Sequence, residues 1–289
     1  MEELALVEVT GPEDPFARYV PENFRPQVGR RDWLCVGAVW RNMACAAAVA
    51  QLVPESGWHL RYIYVDPAAR GQGLGTYLLR GLLGQVKARW GRQMRAVWTA
   101  GMVESGEQVP GVLARAGFSP PEPVGTVFSI PLGRIPELKP FSAAGLAVYD
   151  GLHLPPEVEE EYRSLLWTGE IPPFADSRDM EGLMPQLSSF CTASGRLAGV
   201  LLGQRTAEGL NLAGLWVHPS CRKGRTAALL IARSLSAARA AWPPDTWIST
   251  TAIDRTAFAL ALRFFRPEDG ARRETELMAV CPLCKEGVL

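Results

Sequence analysis

The sequence predicts an α/β protein of two similar halves, each a mixed, mostly antiparallel sheet flanked by helices. Its 289 residues suit two domains of ordinary size. A weak internal repeat supports this division, because residues 60–83 resemble residues 212–235 once Pro67 is placed on Pro219. The apolar segments around these two stretches also follow one another in the same order. The pattern therefore indicates one fold used twice.

The first half begins with a strand, and after an irregular segment it forms a meander of three strands. Arg41-Asn42, between the first two strands of the meander, is typical of a hairpin. The third meander strand leads into a helix, and a strand, a short helix and a closing strand follow. The predicted strands cover residues 3–10, 33–40, 43–53, 57–67, 94–102 and 124–131, and the predicted helices cover 73–88 and 108–118.

The second half repeats this plan after a proline-containing segment, residues 131–140, which we interpret as a linker. We expect a first domain over residues 1–135 and a second over residues 136–289. A helix predicted at 156–169 has an acidic first turn, which suits the positive end of the helix dipole. The other segments of this half cover residues 146–152, 187–195, 196–206, 209–219, 226–242, 246–254, 255–265 and 274–281.

The composition narrows the classes of function. The chain has 30 basic and 30 acidic residues, so it lacks the basic excess of a nucleic-acid-binding protein. It has no apolar run of about 18 residues, as a membrane-spanning helix needs, and its acidic start does not resemble a signal peptide. We therefore expect a cytoplasmic protein that binds neither nucleic acid nor a membrane, with its 6 cysteines reduced.

A C-x-x-C pair, Cys281 and Cys284, stands near the end of the sequence. A structural zinc site needs four ligands, and no second such pair or paired histidine is available. The histidines, His59, His153 and His218, are far apart in the sequence. We therefore expect no metal site, and we interpret the pair as the end of a strand followed by a small tail.

A glycine-rich stretch, V-D-P-A-A-R-G-Q-G-L-G-T at residues 65–76, joins a predicted strand to a predicted helix. The N-terminus of a helix presents unpaired N–H groups and the positive end of its dipole, so it can bind a pyrophosphate. Glycines let phosphate oxygens approach the backbone closely. The alternative is a turn with a purely structural role. The glycine spacing is not that of a Rossmann unit, and no Gly-Lys-Ser/Thr follows, which excludes a Walker loop.

At residues 65–76 the chain resembles the GNAT acetyltransferase superfamily, whose pattern V-x-P-x-x-R/Q-x-x-G-x-G/A binds the pyrophosphate of acetyl-CoA. Residues 113–118, LARAGF, are similar to a later element of that family. The resemblance implies two tandem GNAT-like domains and an N-acetyltransferase with acetyl-CoA as cosubstrate. It also implies that the amine of a small molecule attacks the thioester directly, without an acyl-enzyme.

The resemblance assigns roles by position in this sequence. The backbone of Ile63, Tyr64 and Val65 is expected to bind the pantetheine arm as an added strand would. The Val65 amide is expected to help stabilise the oxyanion and so to take part in catalysis. The phosphates are expected to lie against a cradle formed by Arg70, Gly71, Gln72, Gly73, Leu74, Gly75 and Thr76.

Two positions of the first half depart from the family. The family often has a glutamate as general base where this chain has His59, and an imidazole can serve as a base near neutral pH. The alternative for His59 is a surface residue at the start of a strand. The tyrosine that often protonates the departing thiolate falls on Leu113, so that role must pass to another group or to water.

The second half departs further. Gly73 corresponds to Arg225 and Gly71 to Lys223, while Asn211 stands at the position of the base. One interpretation is a second cofactor site with cationic side chains, including that of Arg222. The other is a degenerate copy kept for packing, and we expect an internal pseudo-dimer in which only the first loop binds acetyl-CoA.

Two rival functions stay open on the sequence alone. A catalytically silent acyl-CoA sensor would bind acetyl-CoA without releasing CoA, and a scaffold protein would not bind it at all. The sequence does not identify the acceptor, because the loops rather than the fold set specificity. Trp58, Trp90 and Trp98 either line an acceptor pocket or belong to the core.

Overall fold

The computed structural model describes residues 4–22, 24–53, 56–100, 108–136, 144–172, 183–206, 208–222 and 225–283. Its strands are β1 (Leu4–Glu8), β2 (Trp33–Trp40), β3 (Met43–Val53), β4 (Gly57–Val65), β5 (Gln93–Thr99), β6 (Glu122–Pro131), β7 (Leu146–Asp150), β8 (Ser189–Ala193), β9 (Arg196–Thr206), β10 (Gly209–Val217), β11 (Trp247–Ala252) and β12 (Arg272–Pro282). Its α-helices are α1 (Leu74–Ala88), α2 (Gln108–Ala116), α3 (Pro156–Trp167), α4 (Thr226–Ala241) and α5 (Arg255–Phe264).

The chain divides into two compact units that do not follow the expected boundary at residues 135 and 136. The first unit combines Met1–Val124 with Thr275–Leu289, and the second is Gly125–Glu274. The difference arises because the closing strands are exchanged. β6, expected to close the first sheet, pairs with β11, and β12 pairs with β5.

The apolar side chains of the two exchanged strands are buried in the core of the unit that each strand joins. On β12, Ala279 and Cys281 lie in the core beneath α1, and on β6, Phe128 and Ile130 lie in the core of the second unit. Both strands alternate in the same way and follow equivalent helices. The sequence pattern therefore predicts two closing strands, but it does not say which sheet each strand joins.

The first unit has a sheet in the order β1-β2-β3-β4-β5-β12. All pairs are antiparallel except β4 with β5. Leucines at helical spacing on α1, including Leu78, Leu79 and Leu82, are fully buried against one face. The opposite face is covered by a second cluster that contains Phe16 and Trp33.

The second unit repeats this plan in the order β6-β11-β10-β9-β8-β7, with β10 and β11 parallel. α4 buries Leu230 and Leu235 against its sheet. The segment expected to be a linker begins inside this unit, since Leu132 and Ile135 are buried and the Leu132 amide donates to Thr246 O at 2.9 Å. Residues 137–143 of that region lie outside the described residues.

Among the residues that the structure describes, no helix is both long and apolar enough to cross a membrane.

Candidate functional site

The parallel strands β4 and β5 separate at the centre of the first sheet. Their register joins Trp58 to Met94, His59 to Arg95 and Leu60 to Ala96, and within the described chain they pair at no other position. β4 nevertheless continues for five residues, to Val65. The β5 side of this last part of β4 is therefore an open edge, while its other side pairs with β3.

The backbone at the end of β4 points its hydrogen-bonding groups alternately to β3 and to this gap. The Asp66 amide donates to Cys45 O on β3 at 2.8 Å. Because successive residues of a strand point to opposite sides, the Val65 N–H points into the gap. Val65 O also points away from β3 and accepts a 3.0 Å hydrogen bond from Arg70 Nε. The segment Ile63–Val65 thus offers backbone groups on its open side.

The loop after β4 is held in place before it reaches α1. The Asp66 carboxylate accepts a hydrogen bond from the Ala68 amide at 3.0 Å and so caps a turn of 3-10 helix at Pro67–Ala69. The Arg70 guanidinium lies 5.8 Å from the ring centroid of Tyr64. These contacts fix where the chain enters the glycine-rich stretch.

Two glycines give the loop its shape. Gly71 has φ +81 and Gly73 has φ +78, a region that residues with a Cβ rarely adopt. A Cβ built at either position meets no atom within 4 Å, so both glycines border open space. Gly75 differs, because a Cβ there would make ordinary contacts with Val65 and Val112.

The N-terminus of α1 opens onto that space. Its N-cap residue, Gly73, has no side chain to cap the first turn, and the turn contains no acidic residue. The amides of Leu74, Gly75 and Thr76 therefore have no partner within the helix and can donate hydrogen bonds to an anion. Arg115 of α2, which sequence reasoning missed, adds a cation here, with its Nε 3.4 Å from Thr76 Oγ1. The loop is therefore suited to bind an anion such as a diphosphate, and the roles of Arg70, Gln72 and the other cradle residues stay predictions.

His59 lies on the face of the sheet opposite α1. Its Nε2 is in hydrogen-bonding contact with Ser56 Oγ. Burial, followed by the positive charges of Arg61 and Arg95, lowers the pKa of His59 to about 4. The imidazole is therefore neutral at pH 7 but is a weak base, so the structure adds no support to its predicted catalytic role.

The position at which the resembled family often has a tyrosine holds a buried leucine, as the sequence indicates. Leu113 is buried in the core beneath α1, so it leaves no polar group at that place. Tyr62 and Tyr64 lie nearby on the opposite face with parallel rings whose centroids are 6.5 Å apart. Burial and the neighbouring Tyr64 raise the pKa of Tyr62 above its usual range. Trp58 belongs to the core, whereas Trp90 is 92% exposed, so these two do not share a pocket.

The second unit keeps the separated strands, and the described part of its loop differs from the first loop in the residue that precedes the helix. β10 and β11 pair only at Leu210–Leu212 among described residues, and Arg222 Nε donates to Val217 O at 3.2 Å, as Arg70 does to Val65. Arg225, however, caps α4 with φ −93, where the first loop has a glycine with positive φ. Asn211 accepts a hydrogen bond from Ser249 Oγ at 3.3 Å, and Lys223 lies outside the described residues.

No group of three or more possible metal ligands occurs among the described residues. Cys281 is buried in the core of the first unit, where burial raises the pKa of its thiol. Cys284, the second half of the C-x-x-C pair, lies outside the part of the chain that is described.

Residues 4–118 match the family model described as the acetyltransferase (GNAT) family. This span contains the whole loop and both separated strands of the first unit. No curated protein matches the chain.

Solved structures resemble the chain over nearly its full length. A tandem GNAT protein from the clavulanic acid biosynthesis pathway superposes with a TM-score of 0.73 at 15% identity, covering 99% of this chain and 100% of that one. A GCN5-related N-acetyltransferase from Sphaerobacter thermophilus gives 0.62 at 17% identity, covering 99% and 98%. A putative acetyltransferase from Pyrococcus horikoshii gives 0.57 at 16% identity, covering 96% and 89%. At these identities the similarity shows the fold, and the fold is that of tandem GNAT proteins.

Proposed function

We propose that the chain transfers an acetyl group from acetyl-CoA to the amine of a small molecule, because residues 4–118 match the GNAT acetyltransferase family model and the fold resembles that of a tandem GNAT protein. The observation that carries this proposal is the combination of two features of the first unit. The open edge of β4 lies beside a helix N-terminus whose loop is shaped by two glycines of positive φ.

In this proposal acetyl-CoA binds along the open edge. The pantetheine arm takes the place of the missing strand partner beside Ile63, Tyr64 and Val65, and its amides pair with the backbone groups of Ile63 and Val65 that face the gap. The diphosphate lies against the amides from Gly71 to Thr76. The glycines at 71 and 73 matter because a side chain at either position would occupy the space that the phosphate oxygens need.

The acyl group then lies within the gap between β4 and β5. The amine attacks the thioester carbonyl, and the Val65 N–H donates to the oxygen that gains negative charge. The C–S bond breaks as the intermediate collapses. Since Leu113 offers no proton, the thiolate leaves without an acid from that position and takes its proton from water.

The second unit has a structural role in this proposal. Arg225 replaces the glycine at the closest approach, and its φ of −93 does not reproduce the shape of the first loop. We therefore assign acetyl-CoA binding to the first unit alone.

The proposal is tested by measuring free CoA chromatographically after incubation of the protein with acetyl-CoA and a panel of primary amines. The panel contains polyamines, amino acids, amino sugars and arylalkylamines. We expect CoA release that depends on at least one amine, together with the acetylated product by mass spectrometry. Binding of acetyl-CoA without release for any amine would instead support a sensor, and absence of binding would support a scaffold.

A further inference from the structure

A half-buried carboxyl group stands on the strand beyond β5, two strands from the open edge of β4. Glu276 is on β12, the exchanged strand that completes the first sheet, and it stands directly across from Thr99 of β5. The family model ends at residue 118, so it assigns nothing to this position. Glu276 was also not among the site residues expected from the sequence.

The face on which Glu276 lies follows from the alternation of β12. Ala279 and Cys281 belong to the core beneath α1, so Glu276, Met278 and Val280 face the other way. The register of the sheet places Arg95, Val97 and Thr99 of β5, and His59 of β4, on that same face. Glu276 therefore shares a face with the position predicted for the base.

The level of Glu276 along the sheet is close to that of the Val65 amide, where the thioester carbonyl is proposed to bind. Leu60 is level with Ala96, and Thr99 is three residues further along β5. β4 has a bulge between Leu60 and Tyr62. The register with β3 shows it, since the neighbouring residues Val49 and Ala50 pair with Tyr62 and Leu60. Because the bulge adds one residue to β4, Thr99 of β5 is level with Tyr64 of β4. Glu276 lies across from Thr99 on the next strand, two strand positions from the open edge. Two strand spacings are about 10 Å, and the separation of β4 from β5 at this level adds to that distance, so an amine has room between the carboxyl group and a thioester in the gap.

His59 lies much further from that level. It is aligned with Arg95, four residues before Thr99, a separation of about 13 Å along the strand. Glu276 is thus the better placed of the two, and its carboxylate makes no hydrogen bond or ion pair with another described residue. Burial raises the pKa of the Glu276 carboxyl above its usual range. A partly desolvated carboxylate without a partner is stabilised by an ammonium group that binds to it.

We propose that Glu276 binds the ammonium group of the acceptor and takes its proton, so that the exchanged strand completes the site. This inference rests on the proposed function and names the acceptor as a primary ammonium compound. The proton passes from nitrogen to a carboxylate oxygen of Glu276, and the freed lone pair forms the C–N bond. The C–S bond electrons leave on sulfur, and the second nitrogen proton reaches the thiolate through water. Glu276 then returns its proton to solvent.

The test measures binding, so it does not depend on knowing the acceptor. Calorimetry at pH 7.5 compares S-(3-aminopropyl)-CoA with S-butyl-CoA, which has the same length but no charge. We expect the wild-type protein to bind the ammonium thioether at least about tenfold more tightly, the effect of one charge-assisted hydrogen bond. In Glu276→Gln the two thioethers should bind equally, and the affinity for S-butyl-CoA should stay as in the wild type.

Two further variants keep the test decisive. Glu276→Asp should retain part of the preference, because it keeps the charge on a shorter side chain, and thermal unfolding checks that each variant is folded. Thr275→Gln changes the exposed neighbour of Glu276 and should retain the full preference. A preference that survives Glu276→Gln, or that the wild type lacks, overturns the assignment of Glu276 alone. Failure of the wild type to bind either thioether overturns the acetyl-CoA site and the proposed function with it.

Discussion

At the residue scale, the environment of His59 makes a prediction about stability and pH. Its pKa falls from 6.5 to about 4 on folding, because burial and two arginines oppose its charged form. Between these two values the unfolded chain binds a proton that the folded protein does not. Stability is therefore lost as the pH falls through this window.

The variant His59→Gln removes this effect. We expect its free energy of unfolding, measured by urea titration, to fall less between pH 7 and pH 4.5 than that of the wild type. The difference should be about 1–2 kcal/mol once partial solvent screening of the side chain is allowed for. Parallel pH dependences in the two proteins would show that His59 titrates normally in the folded state.

Individual site residues differ in how far the sequence reveals them. Gly71 and Gly73 were predictable, because a strand followed by R-G-x-G and a helix leaves few reasons for glycine other than positive φ and close approach. The weak basicity of His59 was not, since it depends on Arg95, which comes from another strand. Glu276 could not be found from local spacing, because its nearness to the gap depends on which sheet β12 joins.

At the scale of the element, β12 gives the clearest prediction. Ala279 is 1% exposed and lies across from Ala96 beneath α1, although more than 150 residues separate it from most of that core. Replacing Ala279 with Asp would bury an unpaired charge there. We expect Ala279→Asp to destabilise the protein by about 3 kcal/mol or more.

The matched control lies on the same strand. Thr275 is exposed, so Thr275→Asp should change the free energy of unfolding by no more than about 0.5 kcal/mol. Denaturant titration followed by tryptophan fluorescence measures both variants. Equal stability of Ala279→Asp and the wild type would mean that β12 does not belong to the core of the first unit.

The elements themselves were largely predictable, and their partners were not. The predicted strands at 33–40 and 43–53 have the bounds that the structure gives to β2 and β3. Their apolar runs are long, and Arg41 and Asn42 between them have the positive φ that a tight hairpin needs. β6 and β12 have similar alternating patterns of apolar residues, so either strand could pair with either sheet. The pattern of a single sequence therefore does not predict which sheet each strand joins.

At the scale of the whole molecule, the two units share one plan of strands and helices. Both keep the separated parallel strands and the arginine that bonds the last strand carbonyl, through Arg70 and Arg222. These features belong to the fold. Glycines of positive φ precede the helix in the first unit, whereas Arg225, the N-cap residue of the helix in the second unit, has φ −93. The separated strands therefore occur in both units, and we expect acetyl-CoA to bind only to the first.

The most direct test of the account is a calorimetric titration with acetyl-CoA that gives the number of molecules bound per chain. The wild type should bind one. Gly73→Arg, which copies Arg225 into the first loop, should bind none, while Gly84→Arg, an exposed position on the same helix with open space around it, should bind one with unchanged affinity. Unchanged binding by Gly73→Arg would contradict the account, as would two molecules per chain with the second lost in Arg222→Ala.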